Sequence, residues 1–317
     1  SSCSNFSRNE DEVEASLKPV IVTTQNTETE EEEEEEEEED TVIPRTWYDL
    51  YGVSFGDNTF VAVGESGTVR YSSDNGSSWD NGTSGTTSLL YEIAYGDQTF
   101  VAVGQTGTIR YSNDNGTTWS SATWSDTEHL YGVAYGNNTF VGVASENAIT
   151  STDNGLNWAQ KGGANLYDVT FGNSTFVGCG PDGGIDSSTN NGTNWTSQIS
   201  GATTYTLYGI TFGNNQFFSV GSGGKLIKST DNGNSWSNVD SRVSSTLNSI
   251  AFGTVGSKDF FIGVGSSTVI VSEDNGTSFI LKNDTLTFKD ITYGNELFVA
   301  VGKDENIYTS TDGNTWI

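Results

Sequence analysis

Methionine is absent from the 317 residues, histidine occurs once, cysteine twice and proline three times. With His129 alone, multi-histidine metal centres and nucleophile–histidine pairs have little to build on, and no metal or other cofactor is expected. Cys3 and Cys179 lie far apart and make no disulfide framework. No apolar run reaches about 18 residues, which excludes a transmembrane helix. Cations are scarce, 13 Lys and Arg against 42 Asp and Glu, for a net charge of −29. Residues 1–46 hold 16 acids and 3 bases (−13), and residues 47–317 hold 26 and 10 (−16). Neither part offers the clustered cations that phosphate contacts need, so no nucleic-acid partner is expected.

What the chain has in excess is glutamate at one end and small polar residues elsewhere. Glu30–Glu39 are ten consecutive glutamates. Such a run repels itself and buries nothing, so residues 1–40 are expected to be a disordered acidic tether. The missing initiator methionine leads us to expect that the chain starts after a trimmed segment. The opening SSCSN is similar to the end of a bacterial lipoprotein signal, with Cys3 as the lipidated residue. On that reading the tether holds a folded domain, residues 41–317, up to about 100 Å from a membrane. The expected location is then extracytoplasmic, at the cell surface or in the periplasm.

Two strings recur beyond the tether. LYGVSFG at Leu50 returns in related form at Leu90, Leu130, Leu166, Leu207, Leu247 and Phe288, at spacings of 40, 40, 36, 41, 40 and 41 residues. That is the period of a four-stranded propeller blade. A second string, SSDNGSSW (72–79), returns in each repeat and ends as STDGNTW (310–316). Within a repeat the order is an apolar strand, a Gly-Asn or Gly-Asp turn, a second apolar strand such as FVAVG, a Gly-rich loop, a third strand, the acidic box and a polar fourth strand. The first two strands are apolar on both faces, as strands sandwiched between blades require. The last repeat stops before its fourth strand, so Thr41–Trp47 is expected to supply it and close the ring, with Pro44 on the free outer edge. The expected fold is therefore all-β, a seven-bladed propeller of four-stranded antiparallel blades.

Seven copies of one box are not seven active sites. The box falls where the third strand reverses into the fourth, and Asn75-Gly76 suits positive φ there. Ser72 and Asp74 are placed to bond the backbone groups that the turn leaves unpaired, and Trp79 to cover the apolar layer. The same structural roles fall to Asp114 and Trp119, Asp153 and Trp158, Trp195, Asp231 and Trp236, Asp274 and Phe279, and Asp312 and Trp316.

The unit S-x-D-x-G-x-x-W after F-V-x-V-G resembles the Asp-box or BNR repeat over residues 50–316. The resemblance implies a β-propeller with its boxes on the face opposite the usual binding surface. It implies little about activity, since sialidases, xyloglucan hydrolases, a photosystem II assembly factor, sorting receptors and bacterial surface proteins share it. Sialidases of this kind clamp a carboxylate with three arginines. Here Arg70 and Arg110 share one repeat position away from the ring centre, with Lys228 read as aligned to them, and Arg242 lies elsewhere, so no converging trio is expected.

Two features remain as candidates for chemistry or binding. The third residue of the inner strand is Glu92, Asp168 and Asp290 in blades two, four and seven. If these carboxylates share the central opening, a pair of them could hydrolyse a glycosidic bond. Tyr51, Tyr91, Tyr131, Tyr167 and Tyr208 accompany them and could hold a ligand. The connections between blades vary while the blades do not, and Trp124 among them is the expected exposed anchor. The reading favoured is a non-catalytic module presenting variable loops to a protein or glycan, with a glycoside hydrolase as the alternative.

Overall fold

Six of the seven repeats fold back where two consecutive residues take positive φ, and in blade six Gly256 alone does so. Asp57 and Asn58 do so in blade one, at φ 46° and 55°, and Asn137–Asn138 and Asn214–Asn215 repeat the turn in later blades. Asn and Asp tolerate this region better than most side chains, and two-residue turns of this hand match the twist of the strands they join.

The computed structural model describes residues 18–20, 43–45, 47–283 and 285–317. The chain divides into two units, Ser1–Trp47 and Tyr48–Ile317. In the first, Lys18–Val20 pairs antiparallel with Ile43–Arg45, Pro19 opposite Pro44. The rest of the expected tether, including Cys3 and the glutamate run, lies outside the described residues.

The second unit is a seven-bladed propeller of antiparallel sheets, each built from consecutive strands. Blade one comprises Leu50–Gly56, Thr59–Gly64, Val69–Ser72 and Asp80–Asn81. The second strand has sheet neighbours on both sides and blades on both faces, so Thr59–Gly64 and Thr99–Gly104 are buried at every position. Core clusters form between blades: Val61, Val63 and Val69 of blade one pack with Leu90, Ile93 and Phe100 of blade two. Cys179 is buried in the second strand of blade four, in the slot that other blades fill with valine. Third strands vary, Val69–Ser72 being half-exposed at Arg70 and Tyr71 and Ala148–Ser151 buried throughout. Lys228 pairs with Phe218 as Tyr71 pairs with Val61, which sets it one place beyond Arg70 and Arg110, opposite Ala62 and Ala102; the expected alignment with the arginines is corrected.

Blade seven differs from expectation. Among the described residues it has three strands, Phe288–Gly294, Leu297–Gly302 and Ile307–Ser310. Ile43–Arg45, expected as its outer strand, has its hydrogen bonds with Lys18–Val20 instead. Ile317 takes the first fourth-strand place, exchanging both backbone bonds with Thr309 at 2.8 and 3.1 Å. The ring closes without a shared blade, because the seam is a blade-to-blade contact like the others. Leu50, Val53, Phe60 and Ala62 form one apolar cluster with Val299 and Val301. Arg70 Nη2 meets Glu305 Oε2 at 2.5 Å across the same seam, and the Glu305 amide bonds the Tyr48 carbonyl at 2.9 Å.

Candidate binding face

The boxes lie at the end of the propeller that carries the two-residue turns, and their geometry is that of a brace. In blade one, Ser72 Oγ donates to Asp74 Oδ1 at 2.8 Å and accepts the Gly76 amide at 2.9 Å. Asp74 also accepts the amide and hydroxyl of Ser78 at 2.9 and 2.6 Å. Those bonds, led by the Ser78 hydroxyl, hold the Asp74 carboxyl down at about 2. Asp274 also sits at about 2: its slight burial works upward, and bonds from Ser278, Ser272 and Thr277 outweigh it. Five of the six box tryptophans donate from Nε1 to the box glycine carbonyl, as Trp119 does to Gly116 at 2.9 Å. Gly116, at φ 85°, has no room for a side chain, since a Cβ would lie 2.9 Å from Val61 of the preceding blade.

The box asparagine does something the sequence reading missed. Asn137 of the blade-three turn bonds Asn191 of the blade-four box at 2.8 Å. Asn173 meets Asn232, Asn214 meets Asn275, and Asn295 reaches across the seam to Asn75. Asn at the turn and Asn in the next box, recurring together, are the sequence signal of this lacing.

The opposite end of the propeller carries the 3-10 turns, the blade connections and the tyrosines. The register of the inner pair slips at the second residue in every blade but the fourth, as between Leu50 and Gly52, Leu90 and Glu92, and Leu130 and Gly132. Tyr51, Tyr91 and Tyr131 are the extra residues at these bulges, which re-aim a side chain out of the ladder. Rings of adjacent blades touch in succession: Tyr51 to Tyr91 at 6.2 Å between centroids, Tyr91 to Tyr131 at 5.5 Å, Tyr131 to Tyr167 at 5.4 Å and Tyr167 to Tyr208 at 6.4 Å. Lys289, at the same place in blade seven, puts Nζ 5.0 Å from the Tyr51 ring centre. His129 packs on Tyr91 and Tyr131, and its Nδ1 accepts the Thr106 amide at 2.9 Å, so it is tied into this end of the ring. Tyr91 and Tyr131 are only 9% and 7% exposed, whereas Tyr51, Tyr167 and Tyr208 are half-exposed. Burial, with Tyr91, Tyr167 and Glu128 nearby, pushes the Tyr131 phenol up to about 12.

The three candidate carboxylates have framework partners. Asp168 Oδ1 accepts the Val169 amide at 2.7 Å, and Oδ2 accepts the Ile210 amide of blade five at 2.9 Å. Asp290 accepts the Val53 amide of blade one at 2.8 Å and the Ser249 hydroxyl of blade six at 2.6 Å, joining three blades. Glu92 Oε1 accepts the Ile93 amide at 2.9 Å. Asp168 and Asp290 thus satisfy inner-strand N–H groups across the gap between blades.

Other sequence candidates fall elsewhere. Trp124 is half-buried against the core cluster of Val101, Leu130 and Phe140, with its Nε1 buried and without a hydrogen-bond partner; the expected exposed anchor is corrected to a packing residue. Arg70 is engaged at the seam and Arg242 sits on a loop at φ 62°, so these arginines hold no common anion. Among the described residues, no three His, Cys, Asp or Glu side chains are grouped to hold a metal ion.

No family profile and no curated protein matches the chain. Solved structures do. The structure of YCF48 from Cyanidioschyzon merolae superposes with a TM-score of 0.66 at 16% identity, over 82% of this chain and 94% of that one. YCF48 bound to D1 peptide gives 0.56 at 17%, over 72% and 80%. The WD40 β-propeller domain of Doa1 gives 0.64 at 14%, over 83% and 92%. What they share is the fold.

Proposed function

We propose that this chain is a non-catalytic binding propeller, displayed outside the cytoplasm, whose tyrosine end receives a protein segment. The tyrosine arc supports the reading most directly: five rings from five successive blades, extended by Lys289 on Tyr51. Tyrosines that brace one another present contact area with little side-chain entropy left to lose. A sugar stacks on open ring faces, and Tyr91 and Tyr131 have theirs against neighbours, which favours a protein over a glycan. Hydrolysis has less support, because Asp168 and Asp290 accept backbone bonds between blades. A YCF48 structure contains D1 peptide, which gives a precedent for a peptide on this fold. In the same reading residues 1–40 are an acidic tether and Cys3 its lipid anchor.

The test is selection from a displayed peptide library on the native chain, with a glycan array in parallel. Selected peptides should lose about tenfold or more in affinity to Tyr51→Ala and Tyr208→Ala chains. Peptides that bind these variants undiminished, or glycan binding with cleavage, would overturn the proposal.

A further inference from the structure

Arg70 and Arg110 hold the same place in blades one and two, yet their surroundings differ by one carboxylate. Arg70 faces the 3-10 turn Lys303–Glu305 of the preceding blade and pairs with Glu305, the two side chains being 19% and 8% exposed. The turn that precedes Arg110 is Glu65–Gly67, and its third residue, the counterpart of Glu305, is Gly67. Arg110 has instead two neutral acceptors, Ser121 Oγ at 2.5 Å and the Gly85 carbonyl at 2.7 Å. Among the described residues no carboxylate lies within ion-pair distance of it. A guanidinium has five N–H donors, so three remain. Burial lowers the Arg110 pKa, the mark of a charge partly withdrawn from water with no anion to offset it.

The side-chain place at Gly67 is itself filled, since a Cβ there would lie 2.1 Å from the Thr86 carbonyl, but beside it and Arg110 the surface is hollow. A depression of about 640 Å³ is lined by Ser66, Gly67, Gly82–Thr87 and Arg110. The hydroxyls of Ser66, Thr83 and Thr87 make no hydrogen bond among the described residues and stand ready for a ligand. We propose that this hollow docks one Glu or Asp side chain of a peptide segment on Arg110, in the role that Glu305 has for Arg70 at the seam. A planar guanidinium is the donor best matched to a carboxylate. The seam shows the matching group to be a side chain on a turn of polypeptide, and an open depression suits a group presented on a chain. Residues 47–317 carry 26 acids and 10 bases, so the flanks of the docked residue are neutral or basic. This site stands on the repeat comparison and not on the tyrosine arc.

The probes are N-acetyl-Lys-Glu-Lys-amide and its Gln counterpart, titrated into the full chain at low ionic strength, where surface ion pairs are least screened. Expected is saturable binding of the Glu peptide, with the Arg110 Nε–H resonance shifting along the same isotherm. The Gln peptide should bind about tenfold more weakly or worse, and Arg110→Gln should reduce Glu-peptide binding as much. Ser66→Asp supplies an internal carboxylate and should block the hollow. The fold accepts that change, since Asp182 and Asp304 already occupy the same turn position at φ 53° and 58°. Equal binding of both peptides, binding that survives Arg110→Gln, or no saturable binding by the native chain would each overturn the proposal.

Discussion

Gly294 of blade seven and Phe55 of blade one are in such close register that a Cβ on the glycine would lie 2.0 Å from Cγ of the ring. The same step recurs around the propeller, as between Gly56 and Tyr95 at 2.0 Å and between Gly213 and Phe252 at 2.1 Å. Each blade lays an aromatic ring on a glycine near the end of its neighbour's inner strand.

Gly294→Ala should therefore loosen the seam. Overpacking costs about 1–3 kcal/mol, and here the intruding methyl meets a ring already packed against Phe60. Denaturant unfolding should show a lower midpoint with an unchanged slope. Gly162→Ala is the control: the nearest atom to its Cβ is 3.8 Å away, and its midpoint should stay within error.

Asp290→Asn tests whether the inner carboxylates are framework. The amide keeps one oxygen for two donors, and its NH2 would confront either the Val53 amide or the Ser249 hydroxyl. Losing a charge-assisted bond at a buried position costs about 2–3 kcal/mol. Hydrogen exchange at the Val53 amide should accelerate. Unchanged exchange there would return Asp290 to the candidates for chemistry.

The boxes predict acid sensitivity. Asp74 and Asp274 have folded pKa values near 2 against an ordinary 3.8. A depressed folded pKa means that the unfolded chain binds more protons as the medium acidifies. The stability these groups contribute is complete above about pH 4 and disappears as pH falls toward 2. Thermal unfolding across that window should show the decline, and Asp274→Asn should make it shallower. Blade four already carries the neutral form, where Asn190 accepts the Ser188 hydroxyl and the Asn194 amide at 3.0 Å each.

Most of the architecture was legible because its determinants are local and repeated. Blade number follows from the spacing of the LYGVSFG strings, and the box bonds run between residues at most four apart. Contacts between blades were harder to read. Nothing in LYDVTFG tells that Asp168 turns toward an amide 42 residues away. Glu305 and Arg70, 235 residues apart, look like ordinary surface charges until the ring is closed. Trp124 sits in a polar connection, and only the packed structure puts it against the core between blades two and three. Pro44 gave a sound reason for an edge strand, but edge preference does not name the partner, and the partner is Lys18–Val20.

The glycine–aromatic step lies at interfaces and never inside a blade, which makes each repeat an interchangeable part. A copied or deleted repeat of about 40 residues would present the same two half-contacts to whatever neighbours it met. The joint is the same kind of contact wherever it falls in the ring, and its chemistry carries no record of which blade came first.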